Sequence, residues 1–239
     1  MPVKELLLIN RKISSEEVLK AIAVAIPSET ITTAIEDTQA QRQRQRMLPT
    51  HLVVALIIAM SLWSTYSIED VLQNLVQGLS GQWIRLSQRW KKPSKSSISE
   101  ARQRIGPQVM SRLFHLVARP LGSEQTPGVF LNGLRLMAVD GTGLDLPDTD
   151  ENARVFGYPG TRAGTEASFP KARLVILVEA GTHLITDALL SHYRMGERGR
   201  ALKVLRSVGP GMLLMWDRGL HSFKMVKATQ DRGSHYLGR

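Results

Sequence analysis

The chain has 239 residues, of which 43% are hydrophobic and 22% are charged, a balance typical of a folded globular protein. Its 31 Lys and Arg outnumber its 21 Asp and Glu, and the formal net charge of +10 favours a polyanionic partner, nucleic acid first and an acidic membrane surface second. Cysteine is absent, which excludes disulfides and thiolate metal sites and favours an intracellular location.

The first part of the chain predicts three helices. A capping box at Ser14 begins the first helix, and Pro27 ends it. The second helix runs from about Pro49 to Trp63 and contains the apolar run HLVVALIIAMSLW, which is too short to span a bilayer and is typical of a buried helix. The third begins at Ser67, presents Leu72, Leu75, Val76 and Leu79 on one face, and ends by residue 81.

A strongly basic segment follows. Between Arg85 and Arg119 there are nine Lys or Arg and a single acid, Glu100, and the dipeptide Gly106-Pro107 separates two stretches with helical periodicity. The pattern fits a helix-turn-helix reader of DNA and, equally well, a helical hairpin with a solvated basic face. The side chains that we expect to contact DNA phosphates are Lys91, Lys92, Lys95, Arg102 and Arg104.

Residues 122–130 are rich in Gly, Pro and polar residues and predict a linker, so we expect a helical N-terminal DNA-binding domain over 1–125 and a second domain over 130–239. Beyond the linker, strands are predicted over 134–140, 173–178 and 183–190, with the last two forming a hairpin. A helix that ends at Gly209-Pro210 then precedes the apolar strand MLLMW. A strand after a helical crossover is expected to lie parallel within the sheet, which predicts an α/β domain.

Two aspartates stand at the predicted carboxyl ends of strands. Asp140 closes the first predicted strand and Asp217 closes the fourth, at the sheet edge where α/β domains place their ligands. If the two strands are neighbours, the carboxylates lie close enough to repel each other unless a cation is between them, which favours a site for Mg²⁺ or Mn²⁺. The alternative is that DGTG and DRG are ordinary turns, in which Asp and Gly are abundant for reasons of backbone geometry.

Several segments resemble the DDE transposases of the insertion-element-four family. The resemblance lies in AVDGTGLDLPDTDEN at 138–152, FPKARLVILVEAGTHLITDA at 169–188 and LLMWDRGLHSFKMVKATQDRGSHYLGR at 213–239, which look like that family's successive catalytic-core motifs. The stretch PSKSSISEARQRIG at 93–106 is similar to the family's N-terminal domain. Nearly the whole chain takes part in the resemblance.

The resemblance implies a ribonuclease-H-like mixed sheet preceded by an all-α domain, and an enzyme that cuts and rejoins double-stranded DNA at terminal inverted repeats and target DNA. Asp140 and Asp217 would then be the first two catalytic carboxylates and the ligands of Mg²⁺ or Mn²⁺. Arg218 and His221 would touch the scissile phosphate, although His221 could equally cap the next helix. The resemblance further implies a homodimer assembled on DNA, associated with the nucleoid in a bacterial cytoplasm.

The third carboxylate of that family is a glutamate on a helix after the fifth strand, and the chain stops where that strand should begin. Asp231, the only acid after Asp217, is expected on a different helix and is a poor substitute. We therefore expect a sheet that is incomplete at the C-terminus and a chain that binds DNA better than it cuts it. The alternative function is that of a catalytically inactive, truncated transposase that acts as a DNA-binding protein or an inhibitor of transposition.

Overall fold

The computed structural model describes residue 20 and residues 22–40, 48–78, 91–160 and 167–238. The chain divides into two compact units, Met1–Val117 and Ala118–Arg239. Most of the first predicted helix and the end of the third lie outside the described residues. Among the helices that the structure describes, none is long and apolar enough to cross a membrane.

The described part of the first unit is helical. Its helices with defined bounds are α1 (Ser28–Asp37), α2 (Thr50–Leu62), α3 (Ile68–Gly78), α4 (Lys95–Ile105) and α5 (Pro107–Val117). Helix α2 lies between two apolar clusters, one shared with α3 and α4 and the other shared with α1 and α5. Leu56 faces the first cluster and Val54 the second, and both are fully buried. A helix that is apolar all round must be buried, so the prediction for the run at 51–63 is confirmed.

Local side-chain bonds explain where these helices begin and end. The Asp70 backbone N–H donates to the Ser67 hydroxyl (3.2 Å) at the start of α3, and the Ser97 N–H donates to the Ser94 hydroxyl (3.3 Å) at the start of α4. Gly106, with φ of 72°, separates α4 from α5 in a conformation that suits glycine. The predicted break in the basic segment is therefore confirmed. The structure adds that α4 packs on α2 whereas α5 packs on α1.

The second unit contains one six-stranded sheet. Its strands are β1 (Phe130–Leu131), β2 (Leu134–Asp145), β3 (Lys171–Glu179), β4 (Leu184–His192), β5 (Met212–Trp216) and β6 (His235–Gly238). The order across the sheet is β4-β3-β2-β5-β6, and β1 pairs with β2. Strands β2, β3 and β4 are antiparallel neighbours, whereas β5 runs parallel to β2 and β6 runs parallel to β5. The predicted hairpin and the predicted parallel strand are both confirmed.

Three helices accompany the sheet: α6 (Asp150–Phe156), α7 (Glu197–Val204) and α8 (Phe223–Gln230). Helices α7 and α8 join one face of the sheet in a single apolar cluster. Met137 and Leu214 of the two central strands, Leu205 after α7 and Met225 of α8 are at most 1% exposed there. Burial of side chains this large stabilises the unit by about 2 kcal/mol each. Because the cluster includes residues of β2, β3 and β5, it stabilises the arrangement of these three strands.

The prediction that Asp140 closes the first strand is wrong. Strand β2 continues to Asp145, and Asp140 pairs with Ile176 of β3 inside an antiparallel ladder that extends from Met137↔Glu179 to Asp145↔Lys171. The two glycines of DGTG do not interrupt the strand because β3 supplies backbone partners along its whole length. A salt bridge of 3.1 Å between Lys171 and Asp145 closes the far end of this ladder.

A fully buried carboxylate, Glu179, fixes the segment before the sheet to the end of β3. It accepts hydrogen bonds from the backbone N–H of Gly122 (2.8 Å) and from the Thr182 hydroxyl (2.6 Å), and it pairs with the guanidinium of Arg135. Burial raises the pKa of Glu179, but the hydrogen bonds from Thr182, Gly122, Arg135 and Leu121 outweigh burial, so the net pKa is below the ordinary value. The ionised form is therefore the one that the fold stabilises.

A second buried carboxylate, Asp187 of β4, is tied to the short 3₁₀ helix after α7. It accepts from Arg206 (2.8 and 2.7 Å) and from the Ser207 hydroxyl (2.7 Å). Burial raises the pKa of Asp187, yet these hydrogen bonds and the charge of Arg206 leave the net pKa below its ordinary value. Each carboxylate thus stabilises the second unit only while it is ionised.

We expect the second unit to lose stability as the pH falls below about 4, where carboxylates of ordinary pKa become protonated. A carboxyl whose folded pKa is depressed contributes stability above its unfolded pKa, and this stability is lost as the pH falls through the folded pKa. Glu179→Gln should lower the free energy of unfolding at pH 7 by about 2 kcal/mol, because a charged acceptor is lost, and should flatten the acid dependence. Hydrogen exchange of β3 amides between about pH 7 and pH 3 would measure both effects.

Glu124→Gln, at an exposed carboxylate in the same unit, is the matched control and should leave both quantities unchanged. An acid dependence that is the same in Glu179→Gln as in the unaltered chain would contradict the role given to Glu179.

Candidate metal and nucleic-acid site

The register of the two central parallel strands aligns Asp140 with Asp217. The parallel ladder pairs Arg135 with Met212 and ends with Ala138 opposite Met215. Continuing both strands by two residues brings Asp140 level with Asp217. Neighbouring strands are about 4.8 Å apart, so the backbones of the two aspartates are near neighbours at one edge of the sheet.

Alternation along the strands predicts the face on which the two carboxylates lie. Val139 of β2 and Trp216 of β5 are buried in the cluster with α7 and α8. The residues on either side of them therefore point to the other face, which is where Asp140 belongs and where Asp217 would follow if β5 continued by one residue. Both aspartates are exposed.

Each carboxylate is partly held by its own backbone. The Gly141 N–H donates to Asp140 Oδ1 (2.7 Å), and the Leu220 N–H donates to Asp217 Oδ1 (3.2 Å). Within the described part of the chain, the second oxygen of each carboxylate has no hydrogen-bond partner. The two carboxylates are therefore oriented but each keeps one oxygen available.

Two available carboxylate oxygens fit a hard divalent cation. Mg²⁺ is commonly bound through one or two protein carboxylates, with water and substrate phosphate completing its shell. The described residues contain no group of three His, Asp or Glu that could hold a metal ion. Asp231 follows α8 and pairs with Lys227 (3.3 Å), so it is engaged away from the two aspartates.

Arg218 and His221 lie in the turn that follows β5, and both are exposed. The Trp216 indole N–H donates to Nδ1 of His221 (3.3 Å), and the Trp216 ring stacks on Tyr236 with 5.4 Å between ring centroids. An imidazole that accepts at Nδ1 has its proton at Nε2 when neutral, so His221 presents a donor away from the indole. Arg218 has no ion pair among the described residues, which leaves its charge available next to Asp217.

The first turn of α7 contacts the backbone beside both aspartates. Arg173 of β3 donates to Glu197 (2.9 Å), and the Glu197 carboxylate lies directly over Gly141, where an added Cβ would be 2.1 Å from its Oε1. The next residue, Arg198, donates through Nε to the carbonyl of Gly219 (2.7 Å). The sequence analysis missed both residues, and the only local signal was the glycine on each side of the pair in GERG.

The five predicted DNA-contacting cations of the first unit are all exposed: Lys91, Lys92, Lys95, Arg102 and Arg104. Seven residues separate Lys95 from Arg102, so both lie on one side of α4, whereas Arg104 lies on the opposite side. Arg104 also approaches Glu100 (3.7 Å), a weak surface pair. Lys95 and Arg102 are thus the pair on α4 that could contact one phosphate backbone together.

Comparison with known proteins was consistent with the resemblance seen in the sequence. Residues 16–115 match the family described as insertion element 4 transposase N-terminal. Transposase InsG for insertion sequence element IS4, from Escherichia coli strain K12, is 28% identical over 228 residues, which are 95% of this chain and 50% of that protein. Putative transposase InsZ from the same strain is 26% identical over 215 residues, 89% of this chain and 68% of that protein.

Among solved structures, a cryo-EM structure of the piggyBac transposase synaptic complex with hairpin DNA matches with a TM-score of 0.39 and 12% identity, covering 95% of this chain and 51% of that chain. A similarity this low carries no argument. The chain spans about half the length of the InsG relative. Residues 16–115 therefore resemble the N-terminal part of insertion element 4 transposases, and most of the chain is similar to two bacterial transposases.

Proposed function

We propose that the chain acts on double-stranded DNA as the DNA-binding and front catalytic part of a DDE transposase that cuts and rejoins strands at terminal inverted repeats. The observation that supports this most strongly is the parallel register of β2 and β5, which ends at Ala138↔Met215 and would bring Asp140 level with Asp217 if it continued by two residues. Asp140 lies within β2 and Asp217 begins the turn that follows β5, so the two carboxylates come from segments far apart in the chain. A shared metal ion would give their proximity a function.

The sheet supports a ribonuclease-H-like fold. An antiparallel meander of β2, β3 and β4 continues on its other side into two parallel strands, β5 and β6, each reached through a helix. A sheet of that design would place Asp140 of β2 beside the carboxyl end of β5, which is the position that the proposed chemistry requires. The helical first unit would serve as the DNA-binding domain.

In the proposed reaction, Asp140 and Asp217 bind Mg²⁺ or Mn²⁺ through the carboxylate oxygens that their own backbones leave available. The ion, when bound, would polarise the scissile phosphate and favour deprotonation of the attacking hydroxyl. Arg218 would place its charge against the phosphate, and His221 would donate from Nε2 to a phosphate oxygen or to an attacking water. Positioning and charge neutralisation supply most of the rate enhancement in phosphoryl transfer, so no covalent protein intermediate is required.

A second candidate function is supported by the number of acids. Because the described residues contain no group of three metal-binding side chains, the chain would hold one ion loosely and bind DNA more readily than it cuts it. Such a chain would occupy transposon ends or enter assemblies of a complete transposase and inhibit them. For the cutting function we propose a homodimer on DNA, since cutting two ends of one element needs two copies of the site.

The metal site predicts specific losses of affinity. Asp140→Asn and Asp217→Asn should each weaken Mn²⁺ binding by about tenfold or more, because each removes one of the two charged ligands. Electron paramagnetic resonance of free Mn²⁺ in a titration would measure the dissociation constant. Asp231→Asn makes the same chemical change at a carboxylate already paired with Lys227 and should leave Mn²⁺ binding unchanged. Equal effects of all three changes would contradict a site at residues 140 and 217.

The DNA contacts predict a salt dependence. Lys95→Ala and Arg102→Ala should each reduce the slope of log K against log salt by about 1, because each removes one phosphate contact and one released counterion. Arg104→Ala, on the other side of α4, should reduce it less. Fluorescence anisotropy with duplex DNA at about 50–200 mM salt would measure the slope. Lys227→Ala, an equal charge change in the second unit, is the control, and a loss as large as that of Arg102→Ala would contradict a specific role for α4.

Cleavage separates the two candidate functions. With Mg²⁺ and supercoiled DNA that contains an inverted repeat, we expect the 239-residue chain to nick no faster than its Asp140→Asn variant, because two carboxylates are too few for a two-ion site. Gel electrophoresis of the nicked product measures the rate. Metal-dependent nicking that Asp140→Asn abolishes would favour the enzyme and contradict the inhibitor.

A further inference from the structure

Two consecutive residues at the start of α7, Glu197 and Arg198, each contact the backbone beside one of the two aspartates. Glu197 lies against the backbone of Gly141, the residue after Asp140. Arg198 binds the carbonyl of Gly219, two residues after Asp217. We call Glu197 and Arg198 the bridging pair. They are joined by a single peptide bond, so the distance between Gly141 and Gly219 is coupled to one turn of helix.

The contact of Glu197 with Gly141 is set by packing and charge. A Cβ on Gly141 would be 2.1 Å from Glu197 Oε1 and 2.6 Å from its Cδ, so an added methyl group would displace the Glu197 carboxylate. Arg173 holds the carboxylate in that place with a bond of 2.9 Å, and Arg173 is itself fixed by the carbonyl and the ring of Tyr193. Glycine at 141 therefore gives room to Glu197 in its present position and is not needed for backbone torsion, since Gly141 has no positive φ.

The contact of Arg198 acts on the other aspartate through a tight turn. The Leu220 N–H donates both to the Asp217 carbonyl and to Asp217 Oδ1, each at 3.2 Å, so the turn and the carboxylate are one unit. An added Cβ on Gly219 would be 3.3 Å from Asp217 Oδ1, which shows how closely the turn wraps around that side chain. The hydrogen bond from Arg198 fixes the Gly219 carbonyl, and Gly219 is part of the turn whose Leu220 N–H binds the Asp217 carboxylate. We therefore expect Arg198 to influence the orientation of that carboxylate.

We infer that the bridging pair positions Asp140 and Asp217 for a shared divalent cation, with Arg173 holding Glu197 and with Gly141 making room for it. This inference rests on the proposed metal site. Glu197 is a positioning residue and not a ligand: its charge is neutralised by Arg173, and strand alternation places Gly141 and Asp140 on opposite faces of β2. Supporting residues of this kind change metal affinity by about 10- to 100-fold when they are altered.

A double-mutant cycle between Gly141 and Glu197 tests the inference through metal affinity without any need for activity. We expect Gly141→Ala and Glu197→Ala each to weaken Mn²⁺ binding by about tenfold. The double variant should bind no more weakly than either single variant, because removal of the Glu197 side chain leaves room for the added methyl group. Gly143→Ala is the matched control: a Cβ there would meet only Tyr193 at 3.5 Å and Lys171 at 3.9 Å, and Mn²⁺ affinity should not change.

Arg198 supplies an independent variant at an exposed position that does not threaten folding. Arg198→Gln should weaken Mn²⁺ binding by about tenfold and increase hydrogen exchange at the Leu220 amide, whereas Lys203→Gln, the same charge change later on α7, should do neither. Unfolding temperatures measured without metal should agree among the Arg198, Lys203 and unaltered chains. A loss of affinity that merely follows a loss of stability would overturn the positioning role.

The outcomes separate this inference from the proposed function. If Asp140→Asn abolishes Mn²⁺ binding while changes at Gly141, Glu197 and Arg198 leave it intact, the metal site stands and the bridging pair is only structural. If the effects of Gly141→Ala and Glu197→Ala add in the double variant, the claim that they share one space is wrong. If the unaltered chain binds no Mn²⁺ at millimolar concentration, the metal site and the inference fail together.

Discussion

The parallel ladder between β2 and β5 is the constraint on which the second unit depends. Its four pairs, from Arg135↔Met212 to Ala138↔Met215, join segments that β3, β4 and α7 separate in the chain. Buried Met137 and Leu214 hold the ladder against α7 and α8. A slip of one residue would turn the apolar side chains of one strand to the opposite face, so the packing of the core also sets the level of Asp140 and Asp217.

The acidic side chains at the end of β3 and those beside the end of β5 differ in burial and in hydrogen bonding. At the edge where β3 ends, Glu179 is fully buried and surrounded by donors from the chain itself, because an ion that leaves water needs every partner that the fold can supply. At the other edge, Asp140 and Asp217 are exposed and each uses one oxygen on a backbone amide. The first arrangement stabilises the fold. The second leaves ligand capacity unused, which is the condition that a binding site requires.

Patterns local to the sequence predicted the central helix α2, the β3–β4 hairpin and strand β5, because burial of a continuous or alternating apolar run is a short-range signal. They failed where the partner lay far away. A helix does end just before Pro27, as predicted, but α1 was missed because a second helix begins directly after the same proline. The extent of β2 depends on pairing with β3, and the position of Glu197 over Gly141 depends on a helix more than fifty residues later in the chain. Of the candidate site, the two aspartates were predicted from the sequence, and the residues that contact the backbone beside them, Glu197 and Arg198, were not.

The repulsion between the carboxylates of Asp140 and Asp217 depends on how much water surrounds them. At about 5 Å, two unit charges repel by about 1 kcal/mol in water and by about 3 kcal/mol at an effective dielectric constant of 20. The exposed pair tolerates the smaller figure without help from any cation. Under the proposed function, a DNA phosphate that excluded water would bring a third negative charge and move the repulsion between the pair toward the larger figure. A divalent ion bound by both carboxylates would then offset this repulsion before any chemical step took place.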